Sequence, residues 1–483
     1  MEVPLKVKIK ELFNHGLIYG LTSSLQNILG FVLLPILTVY YTPAEFGIYS
    51  IILLASALAS AIFYFGASSA LGRFYFDEDS DEYRKSIVSS AVIITIVGAC
   101  ILILLSVLLG KYLSVLLFDS TLYYLHIILA FSGASFGFLL NTMTLLLRYE
   151  KKSGLFMKVT LVGVGINFGI TYVLLTVFHF GILAPLYGSL MSMCLSFIFL
   201  FGIKLPDLTL KLRSSHLRKI VLFGIQFSVS GLLFYLLDYV DRLIIKDLLP
   251  MADVGIYSLG SRIAVVINVL LIVPFSLIWA PIRMQYAANT NNQEFTVKVF
   301  SYLAIIGFTL VSMSILFGDD LMSLVFVNSK YAGAAKVFPL IMLALLFYGF
   351  QNIVDFGIYL HKKIYFYTVI SLIGIAFNVV MNYWLIPYFG YMASAYVTFF
   401  TYFITTALIY LVSSRYHKMK LEWLRIWSPF VVLIVLYYLV NFTGIFYYSL
   451  LTRILVGIFL VLLILFCWLT KKEQDIIRKF LNV

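Results

Sequence analysis

Charge is what this sequence has least of: of its 483 residues, only 12% are Asp, Glu, Lys or Arg. A soluble domain carries about twice that share, so a water-solvated globule is excluded. Cysteine is scarce as well. Cys100, Cys194 and Cys467 each stand alone inside an apolar run, which excludes a disulfide framework or a thiolate metal centre and leaves them as small buried residues. No G-x-x-x-x-G-K-[ST] phosphate loop, H-E-x-x-H pair or Cys/His cluster occurs, so nucleotide hydrolysis by that route and zinc chemistry are not expected. The alternating apolar and polar segments of a membrane β-barrel are missing too. Lysines precede the first apolar run, but no short apolar core with a small-residue cleavage site follows. No removed signal peptide is expected, and the first helix stays.

What is present is hydrophobic length. Hydrophobic residues make up 62% of the chain and the mean hydropathy is +1.02. Long apolar blocks fill Ile87–Leu109, Leu155–Phe178, Val299–Phe317 and Ile454–Leu469. About 20 apolar residues in a helix cross the hydrocarbon of a bilayer. Lipid offers no partner for backbone N–H and C=O groups, so such blocks are helices. The expected fold class is therefore an all-α polytopic membrane protein. Fourteen spans are expected, near residues 12–40, 46–70, 87–109, 121–147, 155–178, 182–203, 220–249, 254–280, 298–317, 336–360, 364–386, 391–412, 427–442 and 450–469.

The net charge of +12 would suggest nucleic acid in a soluble chain; here its distribution says otherwise. With the N-terminus inside, 27 of the 34 lysines and arginines fall at inward ends, six at outward ends, and Arg262 within a span. The positive-inside rule then places both termini in the cytoplasm. Every loop is short, and the longest outward one, near residues 318–335, is too small for a folded domain.

The chain also repeats itself. AEFGIYS at Ala44–Ser50 returns as ADVGIYS at Ala252–Ser258, 208 positions on, and Gly16 matches Gly224 at the same offset. The match continues from ALGR at Ala70–Arg73 to APIR at Ala280–Arg283, and from Lys151-Lys152 to Lys362-Lys363. Two copies of a six-span unit are expected, residues 1–210 and 211–415, followed by two added helices and a tail in 416–483. An even number of spans per copy gives a parallel repeat, in which two lobes flank a central cavity and rock about it. The acid of the repeated phrase, Glu45 or Asp253, is expected to cap its helix N-terminus.

The segments LPILTVYYTPAEFGIYS, FGASSALGRFYF, DRLIIKDLLPMADVGIYSLGSRIA and PFSLIWAPIR resemble the polysaccharide-biosynthesis branch of the multidrug/oligosaccharidyl-lipid/polysaccharide exporter superfamily. These are the Wzx-type oligosaccharide flippases. The resemblance spans nearly the whole chain. It implies a non-enzymatic, cofactor-free protein of the bacterial cytoplasmic membrane that moves undecaprenyl-pyrophosphate-linked oligosaccharide from the inner to the outer leaflet. Surface polysaccharide of the O-antigen or lipopolysaccharide kind would be the product. The implied partners are that lipid-linked oligosaccharide, membrane lipids, and the polymerase and glycosyltransferases of the same route, with no nucleic acid. Cation-coupled multidrug exporters share the two-lobe plan and compete with this reading. A membrane-embedded polysaccharide polymerase or ligase is a competitor of another class, but it would normally carry a large outward loop.

Intramembrane charge marks the candidate site, because it is costly unless it faces a cavity or a partner. The seventh span carries Asp238, Asp241, Arg242, Lys246 and Asp247, and the eighth carries Arg262. Asp238, Asp241 and Arg242 share one helix face at i, i+3 and i+4. The first-copy counterparts are uncharged, among them Gly30, Leu33, Leu34 and Leu54. Two readings stand side by side: a self-neutralised salt bridge of Asp238 with Arg242, or guanidinium forks that hold pyrophosphate or acidic sugar. Thr22, Ser23, Gln26 and Asn27 of the first span offer sugar contacts or helix-joining hydrogen bonds. Asp355 stands alone in the tenth span beside Gln351 and Asn352, as a hydrogen-bonded acid or a proton-coupling group. Arg73 and Arg283 are expected at the cytoplasmic face, anchoring loops or lipid phosphate. His126 and His179 read as interfacial packing, and Pro35 and Pro274 as helix bends.

Overall fold

The apolar runs fold as helices. A computed structural model describes residues 19–463 and 468, apart from residues 21, 23–24, 27–29, 210–212, 288–292, 326–328, 362, 364, 419–420 and 443–449. No strand occurs among the described residues. In chain order the helices are α1 (Gly30–Tyr40), α2 (Pro43–Phe63), α3 (Ala67–Phe74), α4 (Asp81–Phe118), α5 (Tyr124–Tyr149), α6 (Ser153–Thr176) and α7 (Leu183–Lys204). There follow α8 (Ser214–Leu248), α9 (Met251–Ala264), α10 (Val273–Ala287), α11 (Gln293–Val325), α12 (Ala334–Val354) and the short α13 (Phe356–Leu360). The last four are α14 (Tyr365–Phe389), α15 (Tyr391–Tyr416), α16 (Trp423–Phe442) and α17 (Leu450–Leu463).

Twelve helices are long and apolar enough to cross a membrane among the described residues, against fourteen expected. The first and last expected spans account for the difference. Within the described residues α1 is too short for a crossing, and α17 has 14 residues. The outer surface of the spans is apolar. On α4, Val97, Ile101, Leu104 and Leu108 form an exposed stripe at helical spacing, a surface that only lipid would cover without cost. Cys100 is exposed on this helix and Cys194 is half-buried, both free, so Cys100 is not the buried residue expected.

The chain forms two compact units, Met1–Gly255 and Ile256–Val483. In the first, α4 packs on α5, α5 on α7, and α6 on α7, with α2 and α3 leaning on α8. In the second, α11 packs on α12, α12 on α15, and α14 on α15, with α16 and α17 added beside α11. The same three pairings thus recur between equivalent spans of the two sequence copies. In the second unit α12 is the central post, with 78% of its apolar window buried against 28% for α14.

The repeated phrase has a packing role. Thr42 and Glu45 close a capping box on α2: the Thr42 backbone N–H donates to Glu45 Oε2 at 2.8 Å, and the Glu45 N–H donates to Thr42 Oγ1 at 3.3 Å. Two otherwise orphaned donors are satisfied by this exchange. Gly47 and Gly255, repeat mates, then face each other. A Cβ on Gly255 would collide with the carbonyl of Pro43 and stand 3.1 Å from Gly47 N, and one on Gly47 would collide with the carbonyl of Met251. The phrase is stated twice because α2 and α9 approach backbone to backbone there.

Pro274 does more than bend its helix. The five residues Asn268–Ile272 just before it form a π-helix that joins α9 to α10. A proline cannot supply the next helical N–H, and the wider turn re-pairs the ladder around it.

Candidate functional site

Charge enters the apolar region mainly through α8. Asp241 and Arg242 are buried, at 3% and 8% exposure. Burial of a charge is tolerated only with partners. Asp241 Oδ1 accepts the Arg242 backbone N–H at 2.7 Å, and the Arg242 guanidinium lies 4.6 Å from the centre of the Tyr239 ring, a cation–π distance. Lys246 stands 3.7 Å from the exposed Asp247, a loose pair that contributes little. Asp238 belongs to α8, but its side chain lies outside the described residues, and so does its expected pairing with Arg242. Arg262 is half-buried in the last turn of α9. Arg242 belongs to the first unit and Arg262 to the second. Gln26 is exposed, Thr22 is buried, and Ser23 and Asn27 lie outside the described residues.

Asp355 sits where the tenth expected span breaks. The helix stops at Val354 and restarts at Phe356. Ser413 Oγ takes the Gly357 N–H at 2.8 Å, and a Cβ on Gly357 would collide with the Ser413 carbonyl. At this break Asp355 is 8% exposed. Arg283 Nη2 lies 2.8 Å from Asp355 Oδ1, an ion pair without the alignment of a hydrogen bond, and the Tyr367 hydroxyl donates to Asp355 Oδ2. Arg283 also stacks 4.2 Å from the centre of the Tyr359 ring and donates to the Asn352 carbonyl at 3.2 Å. The same carbonyl accepts from Trp279 Nε1 at 3.0 Å. Of the two expected roles, lipid-phosphate contact or anchoring of neighbouring chain, these partners give Arg283 an anchoring one at the helix break. Its repeat mate Arg73 is the exposed one, paired with Asp77 one turn on at 2.7 Å. Asp355 is not alone, because α10 and α14 bring it a cation and a hydroxyl.

A second ionic knot ties helix ends in the first unit. Lys204, 1% exposed at the end of α7, is held by Glu150 and, at 2.8 Å, by Asp207; Lys152 lies 2.9 Å from the same Glu150. Burial with two carboxylates in reach makes this a structural clasp of α5, α6 and α7. Of the two histidines expected to pack, His126 meets the Tyr123 ring edge-on at 5.4 Å, and His179 is exposed with φ of +54°.

The first unit also holds a cavity of about 340 Å³ between α2, α3, α5 and α8. Its described lining is hydroxyl, amide, aromatic, alanine and glycine, with no charged side chain among these residues. Nothing in the sequence marks it, because its walls come from three separate stretches of chain, residues 60–69, 134–141 and 228–235. Arg283 was equally invisible as a partner of Asp355. The one available signal was the acid itself, since a lone intramembrane carboxylate demands a partner.

Residues 13–287 match the model of a family described as "Polysaccharide biosynthesis protein". No curated protein matches the chain in sequence. Among solved structures, the lipid II flippase MurJ in its inward closed conformation superposes with a TM-score of 0.74 at 17% identity, covering 97% of this chain and 100% of that one. An inward-facing MATE-family multidrug transporter of the MOP superfamily gives 0.66 at 14% identity, over 80% of this chain and 94% of its own. An outward-facing one gives 0.58 at 16%, over 84% and 95%. The fold is that of these flippases and transporters.

Proposed function

The chain belongs to the polysaccharide biosynthesis protein family, and on that premise we propose that it is a flippase for pyrophosphate-linked oligosaccharide on a polyprenyl lipid. It works without covalent chemistry, by alternating access in a bacterial cytoplasmic membrane, with both termini in the cytoplasm. The family match over residues 13–287 carries this reading. The two-copy packing and the buried guanidinium of Arg242 support it. Arg242 and Arg262, with Lys246, supply cationic donors for pyrophosphate, Arg by its planar fork. Asp238, Asp241, Gln26 and Asn27 are assigned to the same substrate-binding set. Asp355, paired with Arg283, is the coupling group. The resulting surface polysaccharide ties the protein to a polymerase and glycosyltransferases acting before and after it.

The MATE-like fold favours a second reading, export of cationic drugs. One experiment separates the two. In a strain deleted for this protein, lipid-linked glycan should accumulate on the inner leaflet, and the wild-type chain should clear it without changing ethidium efflux. Arg262→Ala should lose at least about tenfold in glycan flipping, as expected when a hydrogen bond to a charged group is removed, with Arg262→Lys restoring only part. Restored ethidium efflux with unchanged glycan accumulation would decide for drug export.

A further inference from the structure

The cavity of the first unit mixes polar and apolar groups, and its described lining carries no charged side chain. Ser60, Ser68, Ser69, Asn141 and Ser228 are among its lining residues; the Ser60 hydroxyl donates to the Ser56 carbonyl at 2.8 Å and keeps its lone pairs as acceptors. Each hydroxyl can donate and accept, and the amide does both. An acyl chain placed there would leave the buried Ser228 hydroxyl unsatisfied. Among the described lining residues pyrophosphate would find no lysine or arginine, and a cationic drug no carboxylate. Among the described residues, Ser228 Oγ has no hydrogen-bond partner.

Aromatic rings complete the wall. Tyr64 and Phe138 stack with centres 5.3 Å apart at 24°. The Tyr64 hydroxyl is held by Thr142 Oγ1 at 3.2 Å and receives the Asn141 amide N–H at 3.3 Å, so the ring face is fixed in orientation. Tyr235 on α8 adds a third ring, itself stacked on Tyr239. The wall is closely packed where α3 begins: Gly66 has φ of +56° and packs on the backbone of Gly224. Ring faces beside hydroxyl and amide groups suit a pyranose, which has apolar C–H faces and a rim of hydroxyls. The volume lies at the low end for small-molecule sites, roughly 300–1,000 Å³. It suits a sugar ring or a short piece of glycan and not a whole lipid-linked oligosaccharide.

We propose that this cavity is a binding site for uncharged sugar rings of the transported glycan, separate from the arginines that take the pyrophosphate. The inference rests on the flippase reading and adds to it a site and a ligand class. Gly231 provides the test. It lines the cavity, and a Cβ built on it meets nothing within 4 Å, so a larger side chain would occupy the cavity without moving the backbone.

Native mass spectrometry of the purified full-length protein would compare two probes: the lipid-linked glycan extracted from a strain deleted for this protein, and bare undecaprenyl pyrophosphate. The wild type should bind the glycan-bearing lipid at least about tenfold more tightly. Gly231→Leu should erase that preference while leaving the affinity for the bare lipid and the melting temperature unchanged. Asn141→Leu, at an exposed position, should reduce the preference by about threefold to tenfold, the range of one neutral hydrogen bond; it decides the matter should Gly231→Leu fail to fold. A preference kept in folded variants, absent from the wild type, or lost together with bare-lipid binding would overturn the cavity proposal while the flippase reading stood. Failure of the wild type to bind either probe would overturn the flippase reading, and this proposal with it.

Discussion

Gly47 and Gly255 face each other backbone to backbone, and the cost of any side chain there is set by atoms that cannot rotate away. The obstructing groups are the carbonyls of Pro43 and Met251. Gly255→Ala should therefore destabilise the protein by roughly 1–3 kcal/mol, the usual range for overpacking. Gly165→Ala, on α6 with nothing within 4 Å of its Cβ, should be neutral or slightly stabilising through helix propensity. Melting curves of both variants in detergent would read the difference. At Asp355 the decisive atoms are charged. Arg283 and Asp355 each have side chains 12% exposed, so removing one partner leaves the other in an apolar surround. Arg283→Ala should cost roughly 3–5 kcal/mol, and adding Asp355→Asn should return much of it. With Asp355 as the coupling group, Asp355→Asn alone should flatten the pH dependence of glycan flipping. An unchanged pH profile would leave the pair a structural bridge between α10 and the break after α12.

Among the elements, that break depends on α15. Its last turn supplies Ser413 to Gly357, and His417 just beyond it meets the Phe356 ring edge-on at 5.1 Å. Burial pushes the His417 imidazole below its ordinary value of 6.5, and the neighbouring His361 pushes the same way. The fold thus favours the neutral ring. Its contribution is fully present above about pH 6.5 and is lost as the pH falls through the lower folded value. Stability of the wild type should decline below that pH, and His417→Gln should remove this part of the decline. Thermal unfolding from pH 7.5 to 5.0 would measure it; identical slopes would show that His417 titrates without consequence. The Lys204 clasp does related work at the ends of α5, α6 and α7, where two carboxylates hold one buried ammonium.

For the whole molecule, the two sequence copies built the same packing and diverged in charge. The pairings of α4, α5, α6 and α7 recur in α11, α12, α14 and α15, yet Arg73 is exposed where Arg283 is turned inward. A parallel repeat requires equal orientation of both copies. Reporter fusions after Thr209 and after Val483 should therefore both signal cytoplasm, and a tag inserted at Ser120 should be labelled from outside. Reversal at any one of the three positions would break the even-span repeat.

Much of this was legible in the chain alone. Apolar length fixes helices wherever no water reaches the backbone, so the spans from residue 43 to residue 442 could be read without a structure. The offset of 208 announced two equivalent units, and the acid of the phrase announced a helix start that Glu45 fulfils. These features are local or periodic, and sequence records local and periodic constraints directly. Tertiary structure decided the rest. It chose Arg283 and Tyr367 as partners of Asp355, put Gly47 against Gly255, and framed a cavity between α2, α3, α5 and α8 whose described lining is uncharged. Such contacts join residues separated by tens to hundreds of positions. Helical spacing cannot encode them, because each helix face is apolar on lipid and core sides alike, and only packing distinguishes the two.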